Sequence, residues 1–327
     1  MAVYTLEDYQ KSLDPQNRIA RQVRLLSQAN DVINDVPFLE GNLDTGHQVV
    51  AETGLPEVAY KMLNAGVVPS VGNQVQYVEQ CGKAVAWMKL DRDLANRGGN
   101  APAYRMSKWP KYMEALNQVY ANRIFYGNVG SEPAAFTGLS TRYSSLSAGN
   151  AQNVIDAGGT GSDNASIWLI AWGEDSCCGI YPKGSTIGLT HYDHGLQLDD
   201  NTNGVSQAHN MFYVDEWQWD HGLCLTDWRY VVRICNIDIS NLLDNSSAAD
   251  LIDHMEHAEE LLPNSYGTRV FYMNRTVKRF LRKQYRTDVT SGGGLTYENV
   301  AGKPTLVFGS TPVRIVDQLV NTESRVT

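Results

Sequence analysis

The sequence predicts a mixed α/β fold of the α+β class, and three observations along the chain support this prediction. Residues 107–126 carry apolar side chains at helical spacing, which is typical of a long amphipathic helix. Residues 166–237 are rich in aromatic and β-branched side chains between turn signals, the pattern of successive strands. After Ser247 the patterns follow the order helix, strand, helix, strand, strand, so that each helix can cover one sheet face.

The C-terminal block begins with a predicted helix after Ser247. Asp250 follows Ser247 at three residues, a spacing that resembles a capping box with Asp in place of Glu or Gln. Pro263 ends the helical pattern. The apolar residues that recur at helical spacing are Leu251, Ile252, Met255, Ala258 and Leu262.

The rest of this block predicts a strand, a second helix and two further strands. Residues 269–273 form the first strand, which ends at Asn274, a good N-cap for the next helix. A loop with three consecutive glycines then leads to predicted strands at 304–308 and 312–316, separated by Gly309. The second helix presents one apolar face, made by Val277, Phe280, Leu281 and Tyr285.

The first 40 residues predict a helical arm that packs on another surface. Helix-start signals occur at 5–8 and at Asp14-Pro15, and the apolar spacing is helical from Ile19 to Ile33. On another flank this helix carries Arg18, Arg21 and Arg24. These arginines form either a solvent-exposed face or a contact to nucleic-acid phosphates.

The next segment predicts a short helix and then an extended hairpin. Residues 56–66 begin with proline and end with glycine, as short helices do. Residues 74–89 alternate apolar and polar side chains around Gly82-Lys83, which indicates a hairpin with a turn at that dipeptide. Because a hairpin with so little apolar content is unstable alone, it needs a neighbour to lie on.

The middle of the chain predicts a loop followed by a strand-rich block. Residues 91–104 and the Ser/Gly/Asn-rich residues 144–164 are predicted loops, and the second is the best internal boundary. Asp220-His221-Gly222 is a turn signal between the last two strands, and the nearby tryptophans are expected to pack across the sheet. The predicted strands are 166–172, 179–181, 186–189, 211–219 and 223–237.

Composition and charge restrict the function classes. The formal net charge of -9 argues against a general affinity for nucleic acid, and no apolar stretch approaches the ~20 residues of a membrane span. The start of the chain lacks the basic and apolar regions of a signal peptide, so we expect a protein made and used in a cytosol. From Arg269 to Arg286 there are seven basic residues and no acid, whereas Lys183 is the only basic residue between Arg142 and Arg229. Such segregation indicates solvated faces or two surfaces that meet different neighbours.

The sharpest metal-like set in the sequence is Cys177, Cys178, His191 and His194. Zinc sites favour cysteines two to four residues apart, and adjacent residues of a strand point to opposite faces. We therefore expect five reduced, packed cysteines and no zinc site, with a tight turn at Cys178-Gly179.

Other candidate sites are weaker still. Lys183-Gly184-Ser185 lacks the rest of a phosphate-binding loop, and the glycine-rich residues 158–161 follow no clear strand. The acid pairs are expected to point apart into water; they are Asp199-Asp200, Asp215-Glu216 and Glu259-Glu260. Because no set of nucleophile, base and orienting group is evident, we predict no catalytic residue, no cofactor and no metal ligand.

An ordered set of residues in the last quarter of the chain resembles the capsomer-forming domain of the major capsid proteins of tailed bacteriophages. The set comprises Tyr272-Met273-Asn274, Leu281, Gly302-Lys303-Pro304, Phe308-Gly309, Pro312-Val313, Asp317 and Glu323. The predicted long helix is similar to the spine helix of this family, and residues 227–237 are similar to the sheet beneath its peripheral domain. The resemblance covers residues 56–323, and within the family we expect the nearest relative in a short-tailed phage of Bordetella.

The resemblance implies the tailed-phage major capsid fold in four parts. Residues 1–55 would form the N-terminal arm, and 56–104 the short helix and the extended β-hairpin loop that reaches across an adjacent subunit. Residues 105–245 would form the peripheral domain with the long helix and its β-sheet, and 246–327 the α/β capsomer-centre domain. Because the sheet-like block precedes the capsomer-like block, we also expect a permuted strand order, with 305–316 outside the peripheral sheet.

The resemblance further implies a structural protein that is not an enzyme. Many copies would self-assemble into pentamers and hexamers of an icosahedral head around double-stranded DNA, in the virion, after assembly in the host cytoplasm. The expected partners are other copies of the chain and separate scaffolding, portal and cement or decoration proteins. Packaged DNA would lie on the inner face without sequence specificity, and no membrane would be involved.

Two other classes remain open at the level of sequence. The tryptophan-rich, acidic strands are compatible with a carbohydrate- or ligand-binding β module, and a cytosolic hydrolase is the third reading. Glycan binding by a monomer would favour the module, and turnover blocked by a chelator would favour the hydrolase. Assembly into large closed particles would favour the capsid protein.

Overall fold

The computed structural model describes residues 4, 6–10, 27–97, 99–199, 209–243, 248–263, 267–287, 295–300 and 303–327. The helices in these ranges are α1 (Leu6–Gln10), α2 (Val32–Asp35), α3 (Arg92–Asn96), α4 (Ala101–Tyr126), α5 (Leu139–Arg142), α6 (Leu251–Leu261) and α7 (Arg275–Thr287). The first strands are β1 (Phe38–Glu40), β2 (Gly46–Gly54), β3 (Asn73–Asp91), β4 (Val154–Asp156), β5 (Asn164–Trp172) and β6 (Cys177–Tyr181). The remaining strands are β7 (Leu189–Asp199), β8 (Asn210–Leu225), β9 (Val231–Asp238), β10 (Thr268–Met273), β11 (Leu295–Val300), β12 (Lys303–Phe308) and β13 (Thr311–Ile315).

Thirteen strands of the described ranges are connected into one sheet. Its main path runs β11-β12-β13-β10-β5-β6-β8-β3-β2, with β9 beside β5, β7 beside β8, β1 beside β6 and β4 beside β9. Most neighbours are antiparallel, but four pairs are parallel: β1 with β6, β4 with β9, β5 with β6, and β10 with β13. None of the helices described here is long and apolar enough to cross a membrane.

The core lies on both faces of β5, every residue of which is buried. Trp168 and Ile170 point to the face that α4 covers, where the Phe125 ring lies 5.9 Å from the Trp168 ring. Ile167 and Leu169 point to the opposite face, beneath α6 and α7. The period-2 alternation of a strand thus places the long helix on one side and the two C-terminal helices on the other.

The C-terminal block confirms most of its predicted elements. The strand at 268–273 is followed by Asn274, whose Oδ1 accepts a hydrogen bond from the Val277 amide at 2.8 Å, so Asn274 caps α7 as expected. The cap of α6 is different from the prediction. Asp250 accepts from the amides of Ile252 and Asp253, because its carboxylate reaches the second and third amides of the first turn, and Ser247 lies outside the described residues.

The two blocks that we expected to lie in separate sheets are joined. β10 pairs with β5 over five residues, Thr268 lying opposite Trp172 and Tyr272 opposite Trp168, and β13 pairs with β10. The prediction that 305–316 lies outside the sheet of 167–237 is therefore wrong, because an open sheet edge is stabilised by adding strands from any part of the chain. The permuted strand order rested on this separation and loses its support.

Two predicted turns are continuous strand. β3 runs unbroken through Gly82-Lys83, and β8 runs unbroken through residues 220–222. The glycines face each other across one antiparallel ladder, in which Gly82 is opposite His221 and Gly222 is opposite Cys81. A Cβ at Gly82 would lie 3.0 Å from the Ala134 carbonyl oxygen, so these glycines permit close approach of backbone and do not form turns.

Other boundaries also differ from the sequence patterns. The predicted loop at 91–104 contains α3 and the start of α4, which begins at Ala101 because the Asn100 side chain accepts from the Ala103 amide at 3.1 Å. The predicted helix at 56–66 does not form, since no described part of the chain covers its apolar residues. The loop at 144–164 includes β4 and the first residue of β5, and the predicted strand at 186–189 begins only at Leu189. Arg18, Arg21, Arg24 and the glycines 292–294 lie outside the described residues.

Candidate interaction surface

The most exposed part of the described molecule is a hairpin arm made by β2, β3 and the loop between them. β2 pairs with the first half of β3, with Gly46 opposite Gln80 and Gly54 opposite Asn73. The connecting residues 55–71 are all exposed. We call residues 55–71 the arm loop. The extended hairpin was expected at 74–89, whereas the arm loop covers the residues for which a short helix was predicted.

The arm loop is unusually apolar for an exposed segment. Tyr60 and Leu63 are essentially fully exposed, at 105% and 97%, and Val58 is 92% exposed. The other large apolar side chains exposed in the loop are Leu55, Met62, Val67, Val68 and Val71. Contiguous exposed apolar surface of this kind marks a site where another macromolecule binds.

The base of the arm is fixed to the body of the molecule. The Tyr77 hydroxyl donates to the Leu225 carbonyl oxygen at 2.8 Å, and Val49 is buried against the cysteine-containing strands β6 and β8. The Arg142 guanidinium donates two hydrogen bonds to the Glu79 carboxylate at 2.5 and 2.6 Å, and this side chain of Glu79 is only 8% exposed. This bidentate contact between a guanidinium and a carboxylate fixes the direction in which the arm projects.

The described part of the N-terminal region packs on its own subunit. Val32 is fully buried, and the Ala29 amide donates to Asp317 Oδ2 at 2.8 Å. The Asp31 amide donates to the Ile315 carbonyl oxygen at 3.3 Å. The idea that residues 1–40 as a whole lack a partner within the chain is therefore wrong for residues 28–40, whose apolar side chains complete the face beneath α4.

Candidate metal ligands from the sequence are separated in the structure. Cys177 and Cys178 lie in β6 rather than in a turn, and they point into different apolar clusters. Burial raises the pKa of the Cys177 thiol, which favours a neutral, packed side chain. Within the described ranges no group of three or more His, Cys, Asp or Glu side chains is placed to hold a metal ion.

The two histidines of that set have carboxylate partners on β8. His191 Nε2 lies 3.0 Å from Asp215 Oδ1, and Arg105 of α4 donates to the same oxygen at 2.7 Å. His194 Nε2 lies 2.7 Å from Glu216 Oε2. The pKa of Glu216 is lowered by hydrogen bonds from Gln218 and from His194. The His191–Asp215–Arg105 contacts connect the strand pair β7 and β8 to α4, and the His194–Glu216 contact joins the two strands to each other.

The acid pair Asp215-Glu216 points apart, as adjacent strand residues do, but not into water. Asp215 is fully buried and Glu216 is 6% exposed, each with the cationic or histidine partners just described. Sequence reasoning missed this polar cluster because Arg105, the cationic partner of Asp215, lies 110 residues away in α4. The tryptophans of the predicted ligand-binding strands are likewise internal, since Trp168, Trp172 and Trp217 are at most 2% exposed.

Comparison with known proteins agrees with this picture of a structural molecule. A sequence model of the family described as major capsid protein GP7 matches residues 14–327. This chain belongs to the major capsid protein GP7 family. Its role is accordingly that of a structural protein of a tailed-phage capsid, located in the virion.

The structure of bacteriophage epsilon15 contains a chain with the same fold as the GP7 family member described here. A chain in the structure of bacteriophage epsilon15 has a TM-score of 0.80 and 32% sequence identity, and the match covers 100% of this chain and 98% of that chain. The capsid of bacteriophage JBD30 gives a TM-score of 0.46 at 6% identity, covering 91% and 93% of the two chains. A gene-transfer-agent (GTA) capsid gives 0.46 at 8% identity, covering 70% and 97%. No curated protein matches the chain. The predicted mixed α/β fold of tailed-phage major capsid proteins is thus confirmed.

Proposed function

We propose that copies of this chain form pentamers and hexamers that close into an icosahedral head around double-stranded DNA. Membership of a major capsid protein family supports a shell built from this chain. The exposed arm loop carries the proposal, because its eight large apolar side chains have no covering surface in the described subunit. Each Å² of apolar surface removed from water contributes about 25 cal/mol, so the loop favours a bound state.

The arm is built to reach another subunit. β2 has nine residues, which extend about 30 Å at ~3.3 Å per residue, and β3 continues from the arm into the body, where it pairs with β8. A neighbour that binds the arm loop is therefore connected to the core of this subunit through one strand. Such a contact joins two different patches on identical chains, and contacts of this kind close into rings and shells.

Other parts of the proposal follow from the family resemblance. Separate scaffolding, portal and cement or decoration proteins are the expected partners, with DNA on the inner face and assembly in the host cytoplasm. The chain has no catalytic role in this proposal. The division into 1–55, 56–104, 105–245 and 246–327, and a near relative in a short-tailed Bordetella phage, stay predictions.

Expression of the chain followed by negative-stain microscopy tests the proposal. Wild-type protein is expected to form closed particles, alone or with a scaffolding protein. The variant Val58→Ser/Leu63→Ser should form few particles, whereas the matched control Glu57→Ser/Lys61→Ser, in the same loop, should form them at wild-type yield. A monomeric wild type with every scaffold tested, or normal particles from Val58→Ser/Leu63→Ser, would contradict the assignment.

A further inference from the structure

Two cysteines lie directly opposite each other in neighbouring strands of the sheet. Cys178 of β6 and Cys224 of β8 are register partners in an antiparallel pair, so both side chains point to the same face. Each is a free cysteine with only 1% of its surface exposed. They belong to one apolar cluster with Val49, and Tyr77 packs at its edge. The pair therefore lies beneath the base of the arm.

The backbone positions suit a disulfide between these two residues. The Thr226 amide donates to the Ser176 carbonyl oxygen at 2.8 Å. Because hydrogen-bonded pairs recur every two residues of an antiparallel ladder, Cys178 and Cys224 also form such a pair, in which the Cα atoms are about 5.5 Å apart. Disulfide-bonded cysteines have Cα atoms between about 4.4 and 6.8 Å apart, most often near 5.5–6 Å. The two backbones are thus already at a suitable separation.

The side chains fit a disulfide less closely than the backbone does. Directly opposite Cβ atoms are about 4.5–5.5 Å apart, whereas a disulfide needs about 3.5–4.5 Å, so the bond would draw β6 and β8 together at this point. Disulfides formed under such strain are more easily reduced. The pair is therefore suited to reversible oxidation and not to a permanent cross-link.

The other three cysteines are not placed to compete for the same bond. Cys177 points to the opposite face of β6, into a different apolar cluster. Cys81 of β3 is opposite Gly222, so it is a diagonal neighbour of Cys224, with Cα atoms about 7–8 Å apart. Cys235 lies in β9, which pairs with neither β6 nor β8 in the described chain. The strand register thus selects one pair of thiols.

We propose that Cys178 and Cys224 form a reversible disulfide when the folded protein meets a peroxide, and that this bond fastens β6 to β8 beneath the arm. The inference depends on the fold of one subunit and not on the proposed assembly. Thiols are kept reduced in a cytosol, where we expect the chain to be made. A capsid protein leaves that environment with the virion, and there an oxidant can act on the pair.

The oxidation consumes one molecule of hydrogen peroxide for each pair of thiols. A hydrogen bond from Cys178 lowers the pKa of Cys224, and Thr226 Oγ1 lies 3.7 Å from Cys224 Sγ, so Cys224 is the thiol that ionises first. Its thiolate attacks a peroxide oxygen, the O–O bond breaks, and the departing hydroxide takes up the proton that Cys224 lost.

The second step closes the disulfide. The Cys178 sulfur attacks the sulfur of the sulfenic acid on Cys224, so that the S–S bond forms and the S–O bond breaks. The departing hydroxyl group leaves as water with the proton of Cys178. Two thiols are oxidised, and the peroxide is reduced to two molecules of water.

Peptide mapping by mass spectrometry of single, folded subunits tests the inference. After limited treatment with hydrogen peroxide and digestion without reductant, the peptide that contains Cys178 should be linked to the one that contains Cys224, with the loss of two hydrogen atoms. Dithiothreitol should separate the two peptides again. The matched variants are Cys177→Ala, which should keep the link, and Cys178→Ala, which should abolish it. Because Cys177 and Cys178 are adjacent, this comparison identifies the sulfur that reacts.

Thermal unfolding of the same samples measures whether the bond fastens the strands. The link closes a loop of residues 178–224, which restricts the unfolded chain. Each protein is compared with its own reduced form. Oxidation should raise the unfolding temperature by about 5 °C in the wild type and in Cys177→Ala, and should leave Cys178→Ala unchanged. A linked wild type with no rise would contradict the fastening of β6 to β8.

Three mapping results would overturn the inference. Free thiols at Cys178 and Cys224, under conditions that oxidise Met106, which is 57% exposed, would show that the pair does not react. A link that forms only in urea would show that the folded strands hold the two sulfurs apart. A link from Cys224 to Cys81 or Cys177 would show that the register does not select the partner. All these measurements use single subunits, so none depends on whether particles form.

Discussion

The two halves of strand β3 belong to regions that differ in what covers them. The half that pairs with β8 lies in the body, where Met88 and Leu90 are fully buried. The half that pairs with β2 forms the arm, where Val75 and Val78 are each 50% exposed. The backbone pairing is the same in both halves, so the difference comes from the neighbours. In the body, side chains of the same subunit cover the strand. Under our proposal, another subunit covers the arm.

The largest effect on the body side is expected at the buried ion pair between Arg233 and Glu323. Arg233 Nη2 donates to Glu323 Oε2 at 2.8 Å, and the two side chains are 5% and 4% exposed. Glu323→Ala leaves a buried guanidinium without a carboxylate, so the free energy of unfolding should fall by about 3–5 kcal/mol. Urea unfolding of the dissociated subunit measures this loss.

The matched control for that prediction is an exposed ion pair. Glu132 pairs with Arg123 and is 48% exposed, so Glu132→Ala should lower the free energy of unfolding by less than ~1 kcal/mol. Equal decreases in the free energy of unfolding for Glu323→Ala and Glu132→Ala would mean that the buried ion pair stabilises the body no more than an exposed one.

A smaller effect is expected from acid, through His221 in the body. Burial lowers the pKa of His221 from 6.5 to about 4, and its ring lies 4.5 Å from that of Tyr120. The unfolded chain takes up the proton below pH 6.5 while the folded chain resists it until pH is about 4, so stability falls through this window as pH falls. The loss should total about 3 kcal/mol, and about 2 kcal/mol of it between pH of about 7 and about 5.

Urea unfolding at these two pH values, for the wild type and for His221→Gln, isolates the contribution of this one group. The variant should show a shallower dependence on pH, because it has no proton to take up at this position. A dependence as steep as that of the wild type would contradict the assignment of a neutral, buried His221.

A pair of glycine substitutions sharpens the comparison further. A Cβ at Gly222, in the body, would lie 2.7 Å from the Gln80 carbonyl oxygen, whereas a Cβ at Gly54, in the arm, would meet nothing closer than 3.6 Å. Gly222→Ala should therefore lower the free energy of unfolding by about 1–3 kcal/mol, and Gly54→Ala by no more than ~0.5 kcal/mol. Thermal unfolding of both variants is the measurement. A larger loss at Gly54 than at Gly222 would reverse the assigned roles of the two regions.

Local sequence patterns predicted the structure correctly where residues close together in the sequence determine it. Asn274 was predicted as a cap and is one, because its side chain meets an amide three residues on. Gly82 and Gly222 were read as turns because the sequence does not show that two glycines face a crowded ladder. The buried Asp215 could not be foreseen for the same reason, since Arg105 reaches it across 110 positions of the chain.

The interaction surface was predictable in part. An extended hairpin was expected at 74–89, and the observed hairpin instead joins 46–54 to the first part of β3. The sequence pattern of 56–66 predicted a helix, but the spacing of apolar residues does not show whether another part of the subunit packs against them. Exposure of those residues became visible only in the folded subunit.

Side-chain footprinting of the arm loop tests the central claim most directly. Tyr60 and Met62 are 105% and 80% exposed in the single subunit, and both side chains react readily with hydroxyl radicals, whereas Met88 is fully buried and serves as an internal reference. Labelling is compared between purified particles and dissociated subunits. Burial of the arm loop by a neighbouring subunit predicts a drop of at least several-fold at Tyr60 and Met62 in the particle, with Met88 low in both. Equal labelling of Tyr60 and Met62 in particle and subunit would contradict the claim.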